Sequence, residues 1–390
     1  MPGRIDSMRK IHVMQLTTGL GIGGAEIVVR DLAHAVDRDR FHLSICCLKS
    51  LGPIGRELAA EGIDIFTLPG ADLERVDYLT SLKLLRVIRE RQIDVVHSHT
   101  THALTDAAIC RSLMRRLRVL HTFHFGNYPH KPSGDLWLER ISCRVPDRLI
   151  AVGEVQRNQI KSALHLSDDA ISVVRNGVQL PLPGGSDGDP TFRARIGAQG
   201  KMLVGTIATL IPQKGLPDLM QVARRVRDER ADVHFVVVGE GDMRLALERL
   251  RIELRLEDTV TFTGWLPNAA SVALPTFDAY VQPSLWEAMS ISILEAMAAA
   301  KPVISTRVGE APHVIEHGVN GFLFEPRDVE GMAAAVLLLA RECETRRSVG
   351  VAAARTVTER FTVDHMARAY EQVYEGLVPT QPVQVTHAVR

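Results

Sequence analysis

Short apolar runs alternate with helical periods along almost the whole of this 390-residue chain, and that alternation leaves it few folds. Runs at 11–16, 42–48, 64–68, 95–97, 119–122, 148–152 and 173–174 have the length and apolar content of buried strands. Helical patterns fall between them, as at 25–36, 54–61 and 78–92. Pro181-Leu182-Pro183-Gly184-Gly185-Ser186-Asp187-Gly188-Asp189-Pro190 then breaks the pattern with the composition of a linker. A second strand series follows at 202–207, 234–238, 260–263, 279–282, 303–306 and 321–323. The reading is α/β: two Rossmann-like domains facing each other across a cleft, where parallel sheets bind ligands at their strand C-termini. The expected divisions are 1–180, a hinge at 181–198, 199–360, a helix at 361–378 and a tail at 379–390.

Bulk properties exclude several classes. Lys+Arg and Asp+Glu balance at 46 each, so nothing global points to nucleic acid. Residues 1–177 carry 24 basic and 20 acidic groups, a mild excess that suits an anionic acceptor or a membrane surface without selecting either. Arg111, Arg115, Arg116 and Arg118 cluster there, as a solvated helix face or as a contact to lipid headgroups. Five cysteines, two of them adjacent, make no disulfide framework and fit reduced cytosolic thiols. No apolar run reaches membrane-spanning length, and the N-terminus lacks a secretory apolar core.

The richest segment runs from Pro283 to Ile304 and holds Glu287 and Glu295. It reads as strand end, loop, helix, loop, buried strand. A helix start near Ser290 and Ile291 offers unpaired N–H groups and partial positive charge to a phosphate. A nearby carboxylate can accept from sugar or ribose hydroxyls. Ser284 and Ser292 each stand three residues before a Glu, so a capping box is the structural alternative for both.

Upstream, Gly19-Leu20-Gly21-Ile22-Gly23-Gly24-Ala25-Glu26 follows the first strand and opens a helix. It satisfies G-x-G-x-x-G formally, but the second strand ends Cys47-Leu48-Lys49-Ser50, without the acidic residue that NAD binding wants. His97-Ser98-His99 and His121-Thr122-Phe123-His124 stand at strand ends. Neither has carboxylate or Cys partners at metal spacing, and no Asp-x-Asp cluster is of the kind a divalent ion would use to hold a diphosphate, so no metal site is expected.

Taken in order, these segments resemble the retaining glycosyltransferases of family GT4. The match includes the E-x7-E element with Leu294-Glu295-Ala296-Met297-Ala298 and Lys301-Pro302-Val303, the G-G-A-E loop, Leu120–Phe125, Asn176-Gly177-Val178 as a boundary marker, and Lys214-Gly215. It covers about residues 10–376. The resemblance implies the GT-B fold, with a C-terminal helix crossing back to the first domain. It implies an acceptor-side first domain, a nucleotide-sugar-binding second domain, and transfer from a UDP- or GDP-sugar to a glycan or lipid-linked acceptor. Bacterial cell-surface polysaccharide synthesis is the setting it implies, in the cytoplasm or at the inner face of the membrane. His124 and Glu287 are the catalytic residues so implied. Gly23, Gly24, Lys214, Ser290, Ile291 and Glu295 would bind the donor, and His99 and Thr100 would line the acceptor side. No cofactor or metal is expected.

One departure stands out. The family's R-L-x-x-x-K-G loop reads Thr209-Leu210-Ile211-Pro212-Gln213-Lys214-Gly215, with Thr209 in place of Arg. A charge-assisted phosphate contact contributes ~1.5–3 kcal/mol, so its loss slows a conventional reaction by roughly one to two decades. Two alternatives stay open: a non-hydrolysing sugar-nucleotide epimerase, and a weakly active nucleotide-binding scaffold.

Overall fold

The computed structural model describes residues 9–70, 77, 79–181, 188–230 and 232–378. Residues 182–187 of the expected hinge (181–198) and the expected tail lie outside the described residues. The chain divides into two compact units. The first holds 9–124, 128–174 and the helix after 363, and the second holds 125–127 and 175–362.

In the first unit, strands and helices alternate as the sequence pattern predicts. They run β1 (Ile11–Gly19), α1 (Gly24–Ala35), β2 (Phe41–Ser50), α2 (Gly52–Ala60), β3 (Ile65–Thr67) and α3 (Thr80–Glu90). Then come β4 (Val95–Ser98), α4 (Thr101–Leu113), β5 (Arg118–Phe123), α5 (Ser133–Ser142), β6 (Arg148–Ala151), α6 (Glu154–Leu164) and β7 (Ile171–Val173). Every described strand pairing is parallel, and the order is β3-β2-β1-β4-β5-β6-β7. The order reverses between β1 and β4, the switch point at which such sheets bind ligands.

The second unit repeats the plan. It runs α7 (Phe192–Arg195), β8 (Met202–Ile207), α8 (Leu216–Glu229), β9 (Val233–Val238), α9 (Arg244–Glu253), β10 (Val260–Gly264) and α10 (Ala269–Val272). β11 (Ala279–Gln282), α11 (Ile291–Ala298), β12 (Val303–Thr306), α12 (Ala311–Val314), β13 (Phe322–Phe324), α13 (Val329–Arg341) and α14 (Cys343–Arg360) complete it. Its parallel order, β10-β9-β8-β11-β12-β13, has its switch point between β8 and β11. Both faces of this sheet are covered, so β9 is buried at every residue, and its run is apolar but for His234, whose Nε2 lies 2.9 Å from Thr261 Oγ1.

The last helix, α15 (Val363–Leu377), belongs to the first unit although it follows the second in sequence. Its Met366, Tyr370, Tyr374 and Leu377 recur at helical spacing and are all buried. Tyr370 Oη lies 3.0 Å from Thr122 Oγ1 and Tyr374 Oη 2.8 Å from His97 Nδ1. Glu371 accepts from Asp37 N at 2.8 Å.

The expected boundary at 180 falls at 174 instead. Asn176, read as a marker of the first domain's end, is buried in the second unit and donates to Met289 O at 3.1 Å. Val178 N bonds Phe361 O at 2.9 Å. These long-range bonds, invisible to local composition, draw 175–181 into the second unit.

Gly215 shows what a single residue contributes here. It sits at φ +60°, and an added Cβ would lie 1.9 Å from Pro283 O. The loop after β8 can therefore touch the loop after β11 only where there is no side chain. Gly215→Ala is expected to lower stability by about 2–4 kcal/mol, from left-handed strain plus backbone displacement. A urea midpoint unchanged from wild type would contradict this.

Candidate active site

The second unit gathers its candidate residues at the switch point. The β8 loop supplies Gln213 and Lys214, and the β11 loop supplies Ser284, Glu287 and Ser290. Glu287 is the hub. Its Oε1 accepts from Lys214 Nζ at 2.5 Å, Ser284 Oγ at 2.8 Å and Gln282 Nε2 at 3.1 Å. Its Oε2 accepts from Gln213 Nε2 at 3.1 Å. The Lys214 and Glu287 side chains are 17% and 10% exposed, so this ion pair is largely shielded from water. Oε1 is crowded with donors, which leaves Oε2 as the oxygen with room for another.

The capping-box alternatives fail, for a geometric reason. α11 begins at Ile291, and Ser290 is its cap, accepting from Ile293 N at 3.4 Å. Glu287 precedes the helix and takes a side-chain bond from Ser284, while Ser292 lies inside the helix. The first-turn N–H groups, at Ile291 and just after it, have no helical acceptors. The loop that carries Glu287 leads directly into this turn.

Glu295 sits one turn further on, partly buried. Its charge reaches Tyr280, whose hydroxyl is pushed up to about 12, mainly by burial. Tyr280 Oη in turn bonds Ile207 O at 3.1 Å and Gln282 Oε1 at 3.2 Å.

Gln282 was missed by sequence reasoning. It is buried, and its amide bonds Ser284, Glu287, Ser290 and Ser292. The signal was present, because a Gln closing the apolar strand Ala279-Tyr280-Val281-Gln282 is a buried polar group that needs partners. Val308-Gly309-Glu310 braces the glutamate loop. Glu310 N bonds Ala288 O at 2.9 Å, and Gly309, at φ +52°, would put a Cβ 2.3 Å from that same oxygen. Thr209 is exposed.

In the first unit, the corresponding loops hold the other candidates. Gly23 caps α1 in extended backbone, and Glu26 Oε2 lies 2.6 Å from where its Cβ would stand. Burial raises the Glu26 carboxyl. Gly24 is the first residue of α1. Thr100 caps α4, accepting from Ala103 N at 3.3 Å, and its hydroxyl lies 2.9 Å from Thr18 Oγ1.

His99 Nδ1 stands 3.0 Å from His124 Nε2, so one imidazole donates to the other. His99 Nε2 is buried without a partner. The tautomer with the proton on His99 Nδ1 leaves a bare lone pair there rather than an orphaned N–H, and it gives His124 an Nδ1–H donor. Burial holds all four histidines neutral. His97 and His99 lie well below the usual range, through burial first and then through neighbouring histidines: His124 and His121 act on His97, and His97, His124 and His121 on His99. His121 is lowered to about 3 and His124 to about 4, burial again dominating.

Among the described residues, His12, His42 and Asp64 form the one group with metal-like proximity. They come from the starts of β1 and β2 and from just before β3, at the end of the sheet opposite the loops above. Three separate strands supply them, so no sequence spacing could have revealed them. Asp64 is already paired to Arg91, at 2.9 and 3.0 Å.

Comparison with known proteins gives this geometry a context. Residues 22–181 match the family described as Glycosyltransferase Family 4, and residues 201–342 match Glycosyl transferases group 1. The N-acetyl-alpha-D-glucosaminyl L-malate synthase of Bacillus anthracis is 26% identical over 336 residues, 82% of each chain. The UDP-Gal:alpha-D-GlcNAc-diphosphoundecaprenol alpha-1,3-galactosyltransferase of Escherichia coli is 24% identical over 330 residues, 81% of this chain and 84% of that one. Anabaena HepE, solved with UDP-glucose, superposes with a TM-score of 0.82 at 22% identity, over 94% of this chain and 100% of its own. The two family matches follow one another in order along the chain, and the chain belongs to glycosyltransferase family 4, with the GT-B fold.

Proposed function

We propose that this glycosyltransferase moves a sugar from a UDP-sugar to a hydroxyl of a lipid-linked or cell-surface glycan, with retention of anomeric configuration. The observation that carries the reading is the shielded Lys214–Glu287 pair beside the N-terminus of α11. As the bond from the sugar to the diphosphate breaks, negative charge grows on the leaving oxygen. A fixed ammonium and aligned N–H groups stabilise that charge without reorganising. Lys214, with the amides of Ser290 and Ile291, would fill this role, joined by those of Gly23 and Gly24. Glu287 Oε2 would hold a donor-sugar hydroxyl, Glu295 the ribose, and His124 Nδ1–H would orient the sugar. With that charge supplied by the protein, the reaction needs no metal in this reading.

The UDP assignment draws on HepE, which was solved with UDP and with UDP-glucose, and on the galactosyltransferase named for UDP-Gal. The acceptor class draws on that same relative and on a lipopolysaccharide core transferase of Rhizobium meliloti. A cytoplasmic location follows from the nucleotide-sugar. Thr209, exposed where the family carries Arg, favours slow turnover as the second reading.

A thermal-shift panel of UDP, GDP, ADP and NAD tests the proposal on wild type and Glu295→Ala. At ~100 times its dissociation constant a ligand adds about 2.7 kcal/mol, enough to move the melting point by a few degrees. UDP is expected to shift wild type and to fail on Glu295→Ala. A shift with NAD alone, or with none of the four, rules the reading out. His124→Ala with normal turnover would remove the role given to His124.

A further inference from the structure

Leu79, Leu82, Ile109, Leu113, Trp137 and Ile141 are large apolar side chains left exposed, and all six stand on or at the start of α3, α4 and α5. Leu113 is 61% and Trp137 63% exposed. Single exposed apolar residues need no explanation, but a set shared by three packed helices does. These helices are neighbours. Ser81 Oγ donates to Asp106 Oδ1 at 2.5 Å and Cys110 Sγ to Ser81 O at 3.4 Å, which sets Leu82 beside Ile109. Thr101 Oγ1 donates to Glu139 at 2.6 Å and Thr105 Oγ1 lies 3.2 Å from Ser142 Oγ, which sets Ile141 beside α4. α3 already buries Leu84, Leu85 and Ile88, and α4 buries Ala103, Leu104, Ala107 and Ala108, so the outward residues of these two helices are surplus to the core.

Charge identifies the occupant. Arg86 and Arg89 lie in the last turns of α3, Arg115 and Arg116 follow α4, and Arg144 and Arg148 follow α5, all exposed. Over the same segments the exposed acids are Glu90, which is paired to Arg86, and Asp135. Two arginines of the cluster seen in the sequence drop out, because Arg111 and Arg118 both bond Asp147. An apolar plateau with an exposed Trp and a rim of arginines matches the boundary between acyl chains and anionic headgroups. A second copy of this chain fits less well, because a two-fold interface sets each basic rim against another.

We propose that the α3–α4–α5 face of the first unit docks on an anionic lipid surface, apolar side chains in the acyl boundary and arginines on phosphate. Sedimentation of the full chain with phosphatidylcholine vesicles, with and without phosphatidylglycerol, tests this. The wild type is expected to bind the anionic vesicles, to leave the neutral ones unbound, and to release as salt rises. Arg115→Glu with Arg116→Glu should weaken binding at least ~25-fold, at about fivefold per arginine. Leu113→Ser with Trp137→Ser and Ile141→Ser should weaken it at least ~10-fold, each apolar group lost from the acyl boundary contributing. Melting temperatures of all variants should stay close to wild type, since the changed side chains are exposed. Absence of vesicle binding, equal binding by all variants, or a dimer that the triple variant dissociates would each overturn the proposal. None of these readouts requires sugar transfer.

Discussion

Glu287→Ala is expected to cost about 3 kcal/mol of stability and at least about a hundredfold in transfer rate. The stability loss follows from what is left behind. Lys214 keeps an ammonium that is 17% exposed and has lost its carboxylate, while Gln213, Gln282 and Ser284 each lose an acceptor. A shielded charge left unpaired costs more than its pair contributed. The rate loss follows from position: without Glu287, Lys214 is no longer held between the β8 and β11 loops. Glu287→Gln separates the two effects. It keeps the shape and one acceptor oxygen, so its melting point should fall less, but its neutral amide cannot hold the ammonium as firmly, and its rate should stay near that of the alanine variant. Urea denaturation and initial transfer rates measure both. An alanine variant that melts with wild type and turns over normally would mean that Glu287 is neither hub nor catalyst.

The second large effect is acid sensitivity of the first unit. His97, His99, His121 and His124 all have folded values below the ordinary histidine value, chiefly through burial. A lowered folded value means that the unfolded chain binds the proton first. The stability is therefore fully present above about pH 6.5 and is lost as pH falls, until the folded values are reached at about 4 for His124 and about 3 for His121. His121 and His124 together should remove about 4 kcal/mol between pH 7 and 5, at up to about 1.4 kcal/mol per pH unit each. His97 and His99 add in the same direction. That is a large share of the ~5–15 kcal/mol that stabilises a domain. Glu26, Asp31 and Asp106, raised by burial, act the opposite way and offset part of the loss. Urea midpoints at pH 7.5, 6 and 5 should fall steadily, and His121→Asn should flatten the slope by one proton. Equal midpoints at pH 7.5 and 5 would show that these histidines are not buried neutral.

The histidines also mark how far a linear reading reaches. His97-Ser98-His99 and His121–His124 were visible as pairs at strand ends. The register that sets Ser98 against His121 places both on neighbouring strands, and the Tyr370 and Tyr374 hydroxyls that complete the network come from the far end of the chain. Glu287 and Glu295 stood out in the sequence, yet their two Ser-x-x-Glu patterns suggested caps that do not exist. The helix starts at Ile291, one residue beyond the true cap.

What the sequence determined by itself was whatever depends on local periodicity and on turn chemistry. That includes two parallel α/β sheets, a closing helix with an apolar stripe, and glycine-bearing loops after the first strand of each sheet. The tertiary structure alone decided which groups share a hydrogen bond. Gln213 and Lys214 meet Glu287 across 73–74 residues, Asn176 meets Met289 across 113, and Arg111 and Arg118 meet at Asp147. Periodicity is set by neighbours a turn or two apart, so it is written in the sequence. A carboxylate's partners are set by which loops converge at a switch point, and that exists only once the sheets have formed.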